Sequence, residues 1–134
     1  MKGGKRPLIV GIIILAFAVS AWIAGQRRDF VQQEIENVQK LTIPFAGKLL
    51  HGPELVTERY AVRASWEFEV AWKWDDYRRW VEHGLGAHWK EVGSGESMLS
   101  FRRQLPDDFL ELRIESISDG PPMRIRESFT GGPD

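Results

Sequence analysis

The sequence predicts an α+β protein: a single N-terminal transmembrane helix followed by a small antiparallel sheet packed on one helix. Two observations support this fold class. Residues 8–25 contain no charged side chain, and residues 60–74 place an apolar side chain at every even position. The first pattern is typical of a membrane span, and the second of a strand with one buried face. The predicted order of elements in the outer domain is β-α-β-β-β-β.

The apolar segment 8–25 is long enough to cross a bilayer. About 18 residues at 1.5 Å each give a helix of about 27 Å, close to the ~30 Å hydrocarbon core. Trp22 lies near one end, where an indole suits the membrane–water boundary. The alternative is a signal peptide cleaved after Ala21. Because the apolar run continues through residues 22–24, we favour a span that is retained.

Basic residues at the two ends of this segment indicate its orientation. The segment 1–7 is a short basic tail with three basic side chains, and two more, Arg27 and Arg28, come after the span. Since Lys and Arg favour the cytoplasmic side, we expect the N-terminus in the cytoplasm. The chain is then a single-pass protein of the inner (cytoplasmic) membrane, with its C-terminal domain in the periplasm.

Small residues recur along the predicted span at spacings of four and seven. Such residues let two helices approach closely in lipid, which favours a packing face for another membrane helix. Ala and Gly are also common in membrane helices without such a role. The predicted packing residues are Gly11, Ala16, Ala18, Ser20, Ala24 and Gly25.

A juxtamembrane helix is predicted at residues 26–41, which contain neither Gly nor Pro. Its apolar side chains Val31, Ile35 and Val38 are spaced by four and three residues and share one face. That stripe needs a cover: its own domain, a partner subunit or a second copy. We assign these residues to a stalk that faces a partner. Residues 42–58, with two Pro and two Gly, are predicted to be a linker.

The outer domain is predicted at residues 59–130, with 131–134 as a tail. The strand at 60–74 leads into a helix capped by Asp75 or Asp76, whose charge suits a helix N-terminus. Four more strands follow as a meander, because short apolar alternations are separated by Gly, Pro and Asp turns. These strands are predicted at 89–92, 98–103, 109–117 and 123–129.

Catalytic and metal-binding patterns are not found in the sequence. There is no Cys, which excludes thiol catalysis and Cys-based zinc sites. The histidines do not occur at a metal-ligand spacing, and no nucleophile or phosphate-loop motif is present. Residues 55–134 carry more acidic than basic side chains, which argues against nucleic-acid binding. We therefore expect no enzyme activity, no metal and no cofactor.

Six tryptophans in a chain of 134 residues suggest either a large aromatic core or a binding groove. The groove would be formed by Trp72, Trp74, Trp80 and Trp89. Our first hypothesis is a non-catalytic accessory subunit that binds a larger bacterial membrane complex, such as an energy-transducing, secretion or envelope complex. Its partners would be membrane lipids and other subunits, in a hetero-complex rather than a homodimer. The alternative is a membrane-tethered domain that binds an apolar ligand or pigment in the groove.

Overall fold

The computed structural model describes residues 5–58, 61–118, 120 and 122–133. For residues 5–11, 20, 21, 23, 24, 27 and 133 only the backbone is described. The chain divides into two units, Met1–Gln33 and Glu34–Asp134. The predicted tail at 1–7 falls partly outside the described residues, as does the end of the predicted tail at 131–134.

The secondary structure comprises two helices and six strands in the described part of the chain. The helices are α1 (Lys5–Thr42) and α2 (Trp74–Leu85). The strands are β1 (Lys48–Thr57), β2 (Val62–Val70), β3 (Lys90–Ser94), β4 (Met98–Gln104), β5 (Asp108–Ser116) and β6 (Met123–Pro133).

One antiparallel sheet contains all six strands, in the spatial order β1-β2-β6-β5-β4-β3. The α+β class is therefore confirmed. The element order is corrected in the outer domain, since an additional strand precedes the predicted first one. That strand, β1, lies where a linker is predicted at residues 42–58.

The sequence pattern does not predict strand β1, because β1 is an edge strand whose side chains are not alternately buried and exposed. It is irregular at Gly52 and Pro53, where its register against β2 shifts. Gly52 has φ 90°, and a Cβ there would lie 2.7 Å from the carbonyl oxygen of Ser65 and 2.8 Å from the Cβ of Trp66. Only glycine fits this backbone conformation and this close approach.

The core lies between one face of the sheet and two helical segments. Strand β2 buries every second side chain from Val62 to Val70, as its sequence predicts. Helix α2 buries Tyr77, Val81 and Leu85, which are spaced by one helical turn. The predicted caps are corrected, because Lys73 is the N-cap and Asp75 and Asp76 lie in the first turn. In the first turn their negative charges still interact favourably with the positive end of the helix dipole.

The last turns of α1 form the second helical segment against this core. Ile35, Val38 and Thr42 are all buried. The Tyr77 hydroxyl of α2 donates a hydrogen bond of 2.6 Å to the carbonyl oxygen of Thr42. The sheet is therefore covered by two helical segments, rather than by the single helix that the sequence predicts.

The predicted transmembrane helix lies within α1. Among the described residues, no helix meets the combined requirement of length and apolarity for crossing a bilayer.

Candidate functional site

Aromatic side chains gather around Tyr77 at the start of α2. The ring centroid of Tyr77 lies 6.4 Å from that of Trp72, 6.0 Å from that of Trp74 and 6.1 Å from that of Trp80. Trp72 and Trp80 also contact each other edge to face at 5.5 Å. We call Trp72, Trp74, Tyr77 and Trp80 the aromatic cluster. Aromatic pairs at these separations stabilise one another beyond the area they bury.

The aromatic cluster reaches the surface on one side. Tyr77 is fully buried and Trp72 and Trp74 are half-buried, whereas Trp80 is 36 % exposed. A cavity of about 170 Å³ is lined by Trp72 and Trp74 and also by Ser116 and Met123. Pockets for small-molecule ligands usually measure about 300–1,000 Å³. The cluster therefore presents an apolar surface beside a small cavity.

Trp89 lies apart from this cluster. Its ring is 6.3 Å from that of Phe129, and the side chain is buried with 6 % exposure. Three of the four tryptophans predicted to form a groove thus come together, and the fourth is part of the core. Trp72 and Trp74 lie beyond the end of β2, where the chain bends and α2 begins.

A carboxyl group in the core is the least expected feature of the domain. Glu127 of β6 is fully buried, and neither of its carboxylate oxygens has a hydrogen-bond partner among the described residues. It pairs with Trp66 in the ladder between β2 and β6, and the Trp66 indole N–H is likewise buried without a partner. Burial disfavours the charged form of a carboxyl group, so the environment of Glu127 favours the neutral acid.

This environment raises the pKa of Glu127 from 4.5 to about 8, and the main cause is burial. The Thr42 hydroxyl and the Trp66 indole N–H oppose the rise, although neither reaches hydrogen-bonding geometry with the carboxyl oxygens. Both groups are uncharged. Desolvation therefore outweighs the polar contacts, and Glu127 is mostly protonated at neutral pH.

Thr42 and Tyr77 connect this carboxyl to the two helices. The Thr42 hydroxyl donates its single proton to the carbonyl oxygen of Val38 at 2.9 Å, so turning that proton toward Glu127 would give up this bond. Burial raises the pKa of Tyr77 well above its usual value, and the nearby Glu127 charge contributes a smaller rise. Tyr77 thus stays neutral and keeps donating to Thr42.

Sequence analysis did not single out Glu127. The period-two pattern of β6 could have found it, because Met123, Ile125 and Phe129 are buried and position 127 shares their face. An acid at this position gives no apolar signal, so the pattern of β6 did not draw attention to it.

The residues predicted for the stalk and for helix packing have mixed positions. Ile35 and Val38 are in the core of the unit Glu34–Asp134, so the chain's own domain covers these two side chains. Val31, in the other unit, is also buried. Ala16, Ala18 and Gly25 are exposed on α1. The side chains of Ser20 and Ala24, and position 11, a glycine, lie outside those that are described.

No group of three or more His, Cys, Asp or Glu side chains that could hold a metal ion occurs among the residues the structure describes. Comparison of the chain with protein-family models, with curated proteins and with solved structures finds no match. The chemistry of the chain therefore has to be argued from its own residues.

Proposed function

We propose that this protein is a non-catalytic accessory subunit, held in a membrane by one helix and bound to a larger membrane protein complex. The helix is residues 8–25 of α1, with the N-terminus in the cytoplasm and the domain in the periplasm. The partners are lipids around the helix and another subunit at the aromatic cluster.

Exposed apolar side chains on α1 carry the first half of this proposal. Among the described side chains of the unit Met1–Gln33, seven large hydrophobic residues are between 46 % and 74 % exposed. Four of them are consecutive, at positions 12 to 15. Since successive residues of a helix are about 100° apart, these four point to all sides of α1. A patch that surrounds a helix needs a surrounding cover, and lipid provides one. The seven are Ile12, Ile13, Ile14, Leu15, Phe17, Val19 and Trp22.

The described residues of α1 do not meet the combined requirement of length and apolarity for a membrane span. The apolar segment 8–25 also contains residues whose side chains are not described. The argument for lipid therefore combines the charge-free sequence of residues 8–25 with the exposure of its described members.

The aromatic cluster supports the second half of the proposal. Trp and Tyr dominate the energetic centres of protein interfaces, where large rigid side chains are buried against a partner. Trp80 offers such a side chain at the surface, and Trp72 and Tyr77 hold it in place. The adjoining cavity, at about 170 Å³, is small for a pigment or lipid. A protein contact is therefore favoured over a ligand groove.

Three measurements, namely extraction, a reporter fusion and photo-crosslinking, test the two halves of the proposal separately. The anchored chain should resist extraction by high salt and by urea, and a reporter at its C-terminus should be active only in the periplasm. A photo-crosslinking amino acid in place of Trp80 should give one discrete protein adduct. The same amino acid in place of Glu111, which is exposed on the outer face of the sheet, serves as the matched control and should give none.

Failure of each measurement has a separate meaning. Extraction of the chain by urea would refute the membrane anchor. Equal crosslinking at positions 80 and 111, or none at either, would refute the aromatic cluster as the partner contact.

A further inference from the structure

We propose that Glu127 acts as a proton-sensitive latch, which keeps the C-terminal turns of α1 docked on the sheet while its carboxyl is neutral and releases them when it ionises. The docked turns are residues 34–42, all within the unit Glu34–Asp134. This inference is independent of the membrane anchor and of the partner.

Geometry around Glu127 matches a neutral acid better than a carboxylate. A protonated carboxyl has one donor and one free carbonyl acceptor. While the Thr42 proton is given to Val38, the hydroxyl offers Glu127 only an acceptor, and the Trp66 indole offers only a donor. Small movements let the acid donate to Thr42 and accept from Trp66. A carboxylate, by contrast, has no proton to give to Thr42.

Among the described residues, the groups that face Glu127 carry no compensating positive charge. Thr42 faces it from α1, Trp66 from β2 and Tyr77 from α2. Tyr77 is the titratable member of this set, and it would add a second negative charge if it ionised. An ionised Glu127 is therefore a buried charge without a counter-ion, which is costly in a protein interior.

Release is expected at α1 rather than across the sheet. Glu127 itself is fixed in the centre of the sheet between β2 and β5 by ladders on both sides. The turns of α1 are connected to the core by fewer interactions, among them the Tyr77–Thr42 hydrogen bond and the ion pair of Arg103 with Glu34 at 3.2 Å. Moving these turns away admits water to the carboxylate without breaking the sheet.

Hydrogen exchange of the full-length protein in detergent micelles, measured at pH 6 and at pH 8, tests the latch. After correction for intrinsic exchange rates, the amides of Thr42 and Ile43 should lose protection about tenfold per pH unit. Amides of Leu112 and Ile114 in β5 should stay more strongly protected than these two at both pH values, because release of α1 leaves the sheet folded. In E127Q, whose amide has the same donor and acceptor as the neutral acid, the protection of Thr42 and Ile43 should not depend on pH.

The matched control is E111Q, which removes an exposed carboxyl from β5 and should behave as the wild type. The carboxyl carbon of Glu127 in glutamate-labelled wild-type protein should titrate well above the range of the exposed glutamates. A titration in that ordinary range, unchanged protection of Thr42 and Ile43 in the wild type, or protection of these two amides equal to that of β5 would overturn the latch. Because the wild type alone gives these readings, the test does not depend on the folding of E127Q.

Discussion

Replacing Glu127 by Gln should make the stability of the domain much less dependent on pH. The pKa of Glu127 is about 8 in the folded protein, against 4.5 for the exposed side chain. Between these values the folded state binds a proton that the unfolded state has released. The free energy of unfolding of the wild type therefore falls as pH rises from about 4.5 to 8, and levels off above that range.

Linkage gives the size of this effect. Each unit of pKa difference corresponds to about 1.4 kcal/mol, so the full difference amounts to ~5 kcal/mol between pH 4 and pH 9. Small domains are stable by about 5–15 kcal/mol in total, so this loss is a large part of the whole. E127Q has no proton to lose, and its advantage over the wild type should grow by about this amount across the range.

The gap between E127Q and the wild type is the difference between their free energies of unfolding. It is measured by urea denaturation of both proteins in the same detergent, with tryptophan fluorescence as the signal, at several pH values. In E111Q the gap to the wild type should stay nearly constant, because that carboxyl is exposed. A gap between E127Q and the wild type that is the same at pH 4 and pH 9 would refute the reasoning.

Three further substitutions test the packing by urea denaturation. Gly52→Ala should lower the free energy of unfolding by about 1–3 kcal/mol, because φ is 90° there and the new Cβ would meet Ser65. Gly95→Ala, where a Cβ would have ordinary van der Waals spacing, should be tolerated, and equal effects of the two substitutions would contradict this prediction. Tyr77→Phe should cost about 1–3 kcal/mol by leaving a buried carbonyl unpaired, and an unchanged midpoint would contradict it. Glu34→Gln should cost at most about 1 kcal/mol and less at high salt, since its pair with Arg103 is partly exposed; a larger, salt-independent loss would count against this view.

Period-two alternation predicted the strands that have one buried face. In β2 and β5 the apolar residues at alternate positions are buried, since each strand lies inside the sheet with helices on one side. The same alternation overran the end of β2. Trp72 and Trp74 continue the pattern by spacing alone, and the chain has already bent toward α2 at that point.

Features without a periodic signal could not be predicted in this way. Edge strand β1 exposes most of its side chains, so it has no buried face for a pattern to reveal. The cluster of Trp72, Trp74 and Trp80 is centred on Tyr77. The ring of Tyr77 packs against that of Phe68 in β2, with 6.0 Å between the two ring centroids. Such a contact joins two elements, and local sequence does not encode it.

Glu127 illustrates a different limit. Its position on the buried face follows from the period of β6, but its side chain type suggests the solvent side. Tertiary burial overrides the preference of the residue, and the cost of that burial appears as a raised pKa.

Labelling of native membranes with a photoactivatable reagent confined to the lipid phase tests the central claim, that residues 8–25 lie in a bilayer, most directly. We expect the label to attach between Ile12 and Trp22 and to be absent from the unit Glu34–Asp134. A chain that remains unlabelled between Ile12 and Trp22, while known membrane proteins in the same sample are labelled, would contradict it.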